Sequence, residues 1–416
     1  MNQPSSFQNE PHVSFFYRIS CRCYQRFLQA ASYLVKWPKP FLLEGENSVL
    51  ALPERIRQDG IQRLLVITDP VISDLGLMHG FLAGLEKNRV YYVIFDRTIA
   101  NPTEETVEEA LQLYKTEQCE AIAAFGGGSP MDCAKAVGAR IARPKKSIRQ
   151  LRGVLKVLFK LPPLYAIPTT AGTGSETTIA AVISDSQTHV KYQIDDPRLV
   201  PHLAVLDPCL TVGLPRLMTA ATGMDALTHA VEAYLGKSNT KETEAMAKEA
   251  VELIFANLET AYENGRNLTA RMNMLKASHD AGIAFTRAYV GYVHALAHAV
   301  GGAYGVPHGL ANAVILPHVL AHYGKPAERK LAQLADWAHL TFSSDSNEVK
   351  AWKFIHAVRR MNASMGIPSS LDVIKKEDVP LLAKRAVKEA NPLYPVPVIY
   401  GQKDLEDLLY EIGNLK

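Results

Sequence analysis

A chain of 416 residues has the length for two domains with cores of their own, and 47% hydrophobic with 21% charged residues is an ordinary globular balance. Its 45 Lys and Arg against 42 Asp and Glu leave a net charge of +3 with no long basic run, which excludes an electrostatic case for nucleic acid. Five scattered cysteines without a CxxC pair exclude a disulfide framework or zinc knuckle and fit a cytoplasmic protein, and the lack of any long apolar run leaves no membrane partner to expect.

In chain order, residues 1–40 form an arm. The stretch SFFYRISCRCYQRFLQAASYLVKW sets Arg18, Arg22 and Arg26 at helical spacing among Phe, Tyr and Leu, so the arm is expected to be partly helical and amphipathic. It lacks the apolar core of a secretory signal, and Glu10 with few serines argues against a mitochondrial presequence. The expectation is an arm packed on its own domain or on a partner subunit.

From 41 to 213, short apolar runs alternate with helical segments. RLLVITD, VYYVIFD, AIAAFG, PPLYAIP and LAVLD read as strands, and Thr103 as the N-cap of the helix that follows NPT. This alternation predicts a parallel sheet with crossover helices, a Rossmann-like α/β dinucleotide-binding domain. DPCLTVGLPRL is the expected hinge. Residues 214–416, rich in Ala, Leu, Glu and Met at helical periodicity, predict an all-α second domain.

Two glycine-bearing loops carry the first chemical signals. In FGGGSPMD, the glycines Gly126, Gly127 and Gly128 follow a strand and let backbone amides approach a phosphate. Ser129 is expected at the helix N-cap and Pro130 at the first helical position, which makes an anion site suited to a pyrophosphate. The string is not GxGxxG. In the second loop, Thr169, Thr170, Thr173, Ser175 and Thr178 offer hydroxyls for a ribose and base, or for capping turns. Asp69 ends its strand, where a carboxylate either accepts from a ribose 2′-OH, favouring NAD over NADP, or caps the next helix.

The second half carries the metal signals. In GMDALTHAVE, Asp225 and His229 stand four apart and share a helix face. His294 and His298 repeat that spacing, as do His318 and His322, so spacing alone nominates too many ligands. A carboxylate with imidazoles suits Fe(II), Zn(II), Mn(II) or Ni(II).

FGGGSPMDCAKAVG, PTTAGTGSE, GMDALTHAVEAY and GYVHALAHAVGGAYGVPHGLANAVILP, in this order, resemble the iron-containing (group III) alcohol dehydrogenase family. The likeness runs from about residue 40 to the C-terminus, with MGIPSSL and the ANP near 391 fitting too. It implies a fold of the dehydroquinate synthase-like superfamily, with the active site in the cleft between the two domains. Carried over residue by residue, it implies metal ligands at Asp225, His229, His294 and His308, and a non-ligand His298 near substrate and nicotinamide as a catalytic proton relay. It implies cofactor contacts at Asp69, Asn101, Gly127, Gly128, Ser129, Asp132, Thr169, Thr170, Thr178 and Lys191. His318 and His322 match no functional position.

The activity so implied is a metal-dependent NAD(H) oxidoreductase that interconverts an alcohol with its aldehyde or ketone. The metal, Fe(II) with Zn(II) as the alternative, polarises the substrate oxygen while hydride passes to or from NAD, in preference to NADP. A small-molecule substrate and a homo-oligomer, a dimer or larger, are implied as well. Relatives resembling FSNxGLGxVH differ from this chain's FTRAYVGYVH, in which Arg287, Tyr289 and Tyr292 stand out. Arg287 fits either an acidic substrate group or the outer face of its helix. A hydroxyacid–oxoacid transhydrogenase and a dehydroquinate-synthase-like NAD/zinc lyase are the alternative activities.

Overall fold

The computed structural model describes residues 11–33, 35–186 and 191–415. Packing divides the chain into two compact units, one of residues 36–214 with 265–282, the other of residues 1–35, 215–264 and 283–416.

The first unit is built on a six-stranded sheet of β1 (Phe41–Glu44), β2 (Arg63–Ile67), β3 (Tyr91–Phe95), β4 (Ala121–Gly126), β6 (Leu164–Pro168) and β9 (Leu203–Leu206). Their order across the sheet is β1-β9-β6-β4-β2-β3, and every pair is parallel. A second, three-stranded sheet joins β5 (Gly153–Val154), β8 (Lys191–Asp195) and β7 (Ala180–Ser184) in that order.

Alternate residues of the large sheet serve different cores. Leu65, Ile67, Ile122, Ala124 and Ala166 share one cluster, while Leu64, Val66, Ala123, Phe125 and Tyr165 share the other. Helices supply much of the rest, and strands of a smaller sheet add Ala181, Ile183, Tyr192 and Ile194 to the first cluster. α5 (Glu104–Thr116) and α6 (Gly128–Ala142) cover one face, α2 (Leu52–Gln58) and α4 (His79–Lys87) the other, while the single-turn helix α3 (Pro70–Asp74) follows β2. A sheet buried on both faces explains why these strands read as continuous apolar runs. Thr103 caps α5 as expected, its hydroxyl accepting from Thr106 N.

The second unit holds α1 (Phe15–Ser32), α7 (Arg216–Leu235), α8 (Lys241–Glu263), α10 (Tyr292–Tyr304), α11 (His308–Tyr323), α12 (Lys325–Trp337), α13 (Asn347–Ser364), α14 (Val379–Ala390) and α15 (Gln402–Ile412). α7 is buried on nearly every side from Gly223 to Leu235, the behaviour of a central helix. Helix α9 (Leu268–Ala288) is divided between the units: its residues up to Gly282 pack with the α/β unit. Glycine is the reason. Gly174, at φ +58°, lies so close to α9 that a Cβ there would come within 2.7 Å of Ser278 O and 2.8 Å of Gly282 Cα. Such an approach between a loop and a helix leaves no mark in helical periodicity.

Candidate metal and cofactor sites

Four side chains of the helical unit converge. Asp225 and His229 project from one face of α7, His294 from the first turn of α10, and His308 opens α11 after the turn through Gly305. One donor atom from each lies within 4.8 Å of all the others, and three of the four residues are buried. His229 and His294 stack with ring centroids 4.5 Å apart, and Phe285 covers the other side of His229 at 4.2 Å.

The His294 ring is oriented by a carboxylate behind it. Glu232, one turn beyond His229 and 4% exposed, places Oε2 2.6 Å from His294 Nδ1. The same carboxylate accepts from Gly291 N at 2.8 Å and Val293 N at 2.7 Å, which pins it to the start of α10. Burial pushes its carboxyl up to about 7, against the pull of those backbone donors. Burial also holds His294 well below the usual histidine value, with the neighbouring imidazoles acting in the same direction. A neutral His294 whose Nδ1 donates to Glu232 turns an Nε2 lone pair toward the cluster.

Asn312, four residues after His308, directs Nδ2 into the same space. It donates to Asp225 Oδ1 at 2.7 Å and lies 3.1 Å from His308 Nε2 and 3.3 Å from His294 Nε2. A polar N–H group therefore faces three of the four donors at once. That geometry and the donor chemistry, three imidazoles and a carboxylate, fit a divalent first-row cation with bonds of about 2.0–2.2 Å.

His298 stands beside this cluster and outside it. Its Nδ1 lies 2.8 Å from Glu389 Oε1, and its ring stacks on His308 at 5.1 Å. Its Cα lies one turn from that of His294, so the two share a helix face, but different carboxylates hold them. His318 and His322 are held elsewhere: His318 bridges Glu411 and the Ser369 carbonyl, and His322 packs edge-on against Tyr400. Arg287 lies 3.5 Å from Glu242 and over the Tyr33 ring, with its side chain only 17% exposed. Tyr292 is fully buried and hydrogen-bonds Asn391 and Tyr400 N.

In the α/β unit several of the expected cofactor residues, among them Asp69, Gly127 and Thr169, follow the C-terminal ends of parallel strands, while Lys191 opens β8. β3 lies on one side of β2, and β4 with the later strands β6 and β9 on the other, so the sheet reverses direction between β2 and β4. Asp69 follows β2 and the glycine turn follows β4, so both flank the reversal, where open α/β sheets take their ligands. A Cβ at Gly126, at φ +147°, would press to 2.7 Å of Pro130 and 3.5 Å of Asp69 Oδ2. Thr170 and Thr173 line the space over Gly127 and Gly128, and Thr169 N bonds the Gly126 carbonyl. Ser129 Oγ accepts from Asn101 N at 3.2 Å, and Asn101 Oδ1 accepts from Lys191 Nζ at 2.6 Å.

Two details differ from the sequence expectation. Gly127, not Ser129, is the N-cap of α6, and Pro130 falls at the third helical position. Gly127 has the extended backbone that a cap requires, and α6 begins with Gly128, so the helix reaches two residues closer to the strand. Asp69 caps α3 through Ile72 N at 3.0 Å with Oδ1, the capping reading of this carboxylate, while Oδ2 is the oxygen that faces Gly126.

Sequence reasoning also missed Lys135. Fully buried, it donates to Ser175 Oγ, Thr178 Oγ1 and the carbonyls of Thr178 and Ala180, and it ties the threonine loop to α6. Asp132 accepts from Ser175 Oγ and Val182 N. Burial lowers the Lys135 ammonium to about 8 and raises the Asp132 carboxyl to about 6. A lysine inside the apolar stretch CAKAV was the available signal. Glu232 had a comparable one, as the charged residue of AVEAYL.

The chain is similar to known proteins. Residues 40–208 match the family described as iron-containing alcohol dehydrogenase, and residues 219–412 the C-terminal part of the Fe-containing alcohol dehydrogenase family. The chain is 40% identical over 351 residues to a 1,3-propanediol dehydrogenase of Citrobacter freundii, covering 83% of this chain and 90% of that one. It is 38% identical to an NAD-dependent methanol dehydrogenase of Bacillus methanolicus, covering 84% and 92%. A crystal structure of a 1,3-propanediol oxidoreductase superposes with a TM-score of 0.88 at 36% identity, over 91% of this chain and 99% of that chain. The chain belongs to the iron-containing alcohol dehydrogenase family.

Proposed function

We propose that this enzyme interconverts small primary alcohols or diols with their aldehydes, using NAD(H) and one divalent cation, Fe(II) with Zn(II) as the alternative. The convergence of Asp225, His229, His294 and His308 carries the reading. Those four residues would hold the cation, which would supply Lewis acidity toward the substrate oxygen, while NAD on the α/β unit would supply the hydride chemistry.

The chain's own residues do the positioning. Glu232 fixes the tautomer and plane of His294 from behind, and Phe285 and His294 sandwich the His229 ring, so these two donors are preset before anything binds. His298, held by Glu389 at the edge of the cluster, takes or returns the hydroxyl proton. On the α/β unit, amides at the start of α6 and the hydroxyls of Thr170 and Thr173 receive the dinucleotide phosphates. Ser129, Asn101 and Lys191 form the polar rim beside them. Asp69, beside Gly126, favours NAD by accepting from a ribose hydroxyl and repelling a 2′-phosphate.

The relatives named for 1,3-propanediol and methanol support the substrate class. The test is a panel of short alcohols and diols with NAD and NADP, on metal-stripped protein reloaded with Fe(II) or Zn(II). Turnover that needs the reloaded metal and prefers NAD is expected. Full activity in stripped protein overturns the reading.

A further inference from the structure

Helix α1 docks with its polar side and leaves its apolar side in solvent. Gln25 is 5% exposed, and its Nε2 donates to the carbonyls of Pro392 at 3.0 Å and Tyr394 at 2.7 Å. Arg22 donates to Gln25 Oε1 and to the carbonyls of Val396 and Pro397, all within 2.8 Å. Before the helix, His12 N donates to the Asp404 carboxylate, and Ser14 caps the first turn. The helix is therefore held firmly, through hydrogen bonds.

The outer side reads differently. Phe16 is 82% exposed and Phe27 69%, with Ile19 and Cys23 exposed between them. Positions 16, 19, 23 and 27 fall on one helix face. An amphipathic helix on a folded domain normally buries that stripe, and a contiguous exposed apolar stripe marks an interaction surface.

Charge selects what covers it. Residues 11–40 carry Arg18, Arg22, Arg26, Lys36 and Lys39 and no carboxylate. A second copy of α1 would bring the same cations with nothing to pair them, and like charges placed together disfavour that contact. Phenylalanines flanked by arginines instead suit an anionic bilayer, in which such a helix lies with its apolar face in the headgroup boundary. None of the described helices is long and apolar enough to cross a membrane, so the contact is with the surface. The family matches begin at residue 40, which leaves α1 outside the shared catalytic body.

We propose that α1 docks this enzyme on anionic phospholipid membranes through Phe16, Ile19, Cys23 and Phe27, with Arg26 contacting headgroups. This changes the sequence expectation of no membrane partner, because only the fold shows which side of α1 is already used.

Co-sedimentation of the full chain with vesicles tests it. Binding to mixed phosphatidylcholine–phosphatidylglycerol vesicles is expected, with little to phosphatidylcholine alone, and salt should release it. Phe16→Ser/Phe27→Ser should abolish binding and Arg26→Gln should weaken it roughly fivefold, the effect of one basic residue at a charged surface. Both variants should keep alcohol dehydrogenase activity in solution. Wild-type protein that stays unbound with the anionic vesicles overturns the proposal, as does a double variant that still binds them. A fall in particle mass for the double variant also overturns it, by assigning the face to a second copy of the chain.

Discussion

His294 and His298 share one face of α10 and differ in what holds them. His294 is backed by a buried glutamate pinned by two backbone amides, and His298 by Glu389, at the rim. The spacing HxxxH made the two equivalent, and only the resemblance separated them, because a four-residue interval reports a shared face and nothing about what lies opposite it. The proposed relay role predicts that His298→Ala keeps its metal, measured by elemental analysis, and loses about 10²–10⁴-fold in turnover. A variant that loses its metal would instead make His298 a ligand. Glu232→Ala should behave in the opposite way, weakening metal affinity about 10–100-fold in competition with a chelator, since the residue orients a donor and meets no substrate.

At the scale of elements, helix α11 shows a repair that no periodicity predicts. Pro317 lies inside the helix and has no N–H to give the Ala313 carbonyl one turn back. Asn362 from α13 supplies the missing donor, Nδ2 to Ala313 O at 2.6 Å, at a buried position. Asn362→Ala should cost about 1–3 kcal/mol, the expense of an unsatisfied buried carbonyl, read from urea unfolding midpoints. In a Pro317→Ala background the loss should shrink, because the restored N–H takes over the carbonyl. Equal losses in both backgrounds would show that Asn362 acts by packing alone. The strands and the Thr103 cap were legible in the sequence because their signals are local. The start of α6 was not, since SP resembles a cap and first turn as well as GG does, and the choice was made by how closely the helix approaches its strand.

For the whole molecule, the proposed metal and cofactor residues belong to different packing units. Asp225, His229, His294 and His308 lie in the helical unit, and the glycine turn and threonine loop in the α/β unit. Stripping the metal should therefore abolish turnover and lower the melting temperature, since a ligand that binds only the folded state stabilises it by about 4 kcal/mol at a thousand times its Kd. NADH binding, followed by nicotinamide fluorescence, should persist in the stripped protein. Loss of NADH binding together with the metal would show that the cation is needed to form the dinucleotide site.

The sequence by itself determined the family, the parallel α/β half, the helical half and the short set of candidate ligands, because apolar periodicity, glycine turns and four ordered motifs are written along the chain. The tertiary structure decided which donors meet, that Glu232 and Lys135 stand behind the two sites, that the start of α9 packs with the α/β unit, and which side of α1 faces outward. Those outcomes depend on contacts between residues far apart in the chain. A helix face is set by spacing, but what it meets is set by everything that packs against it.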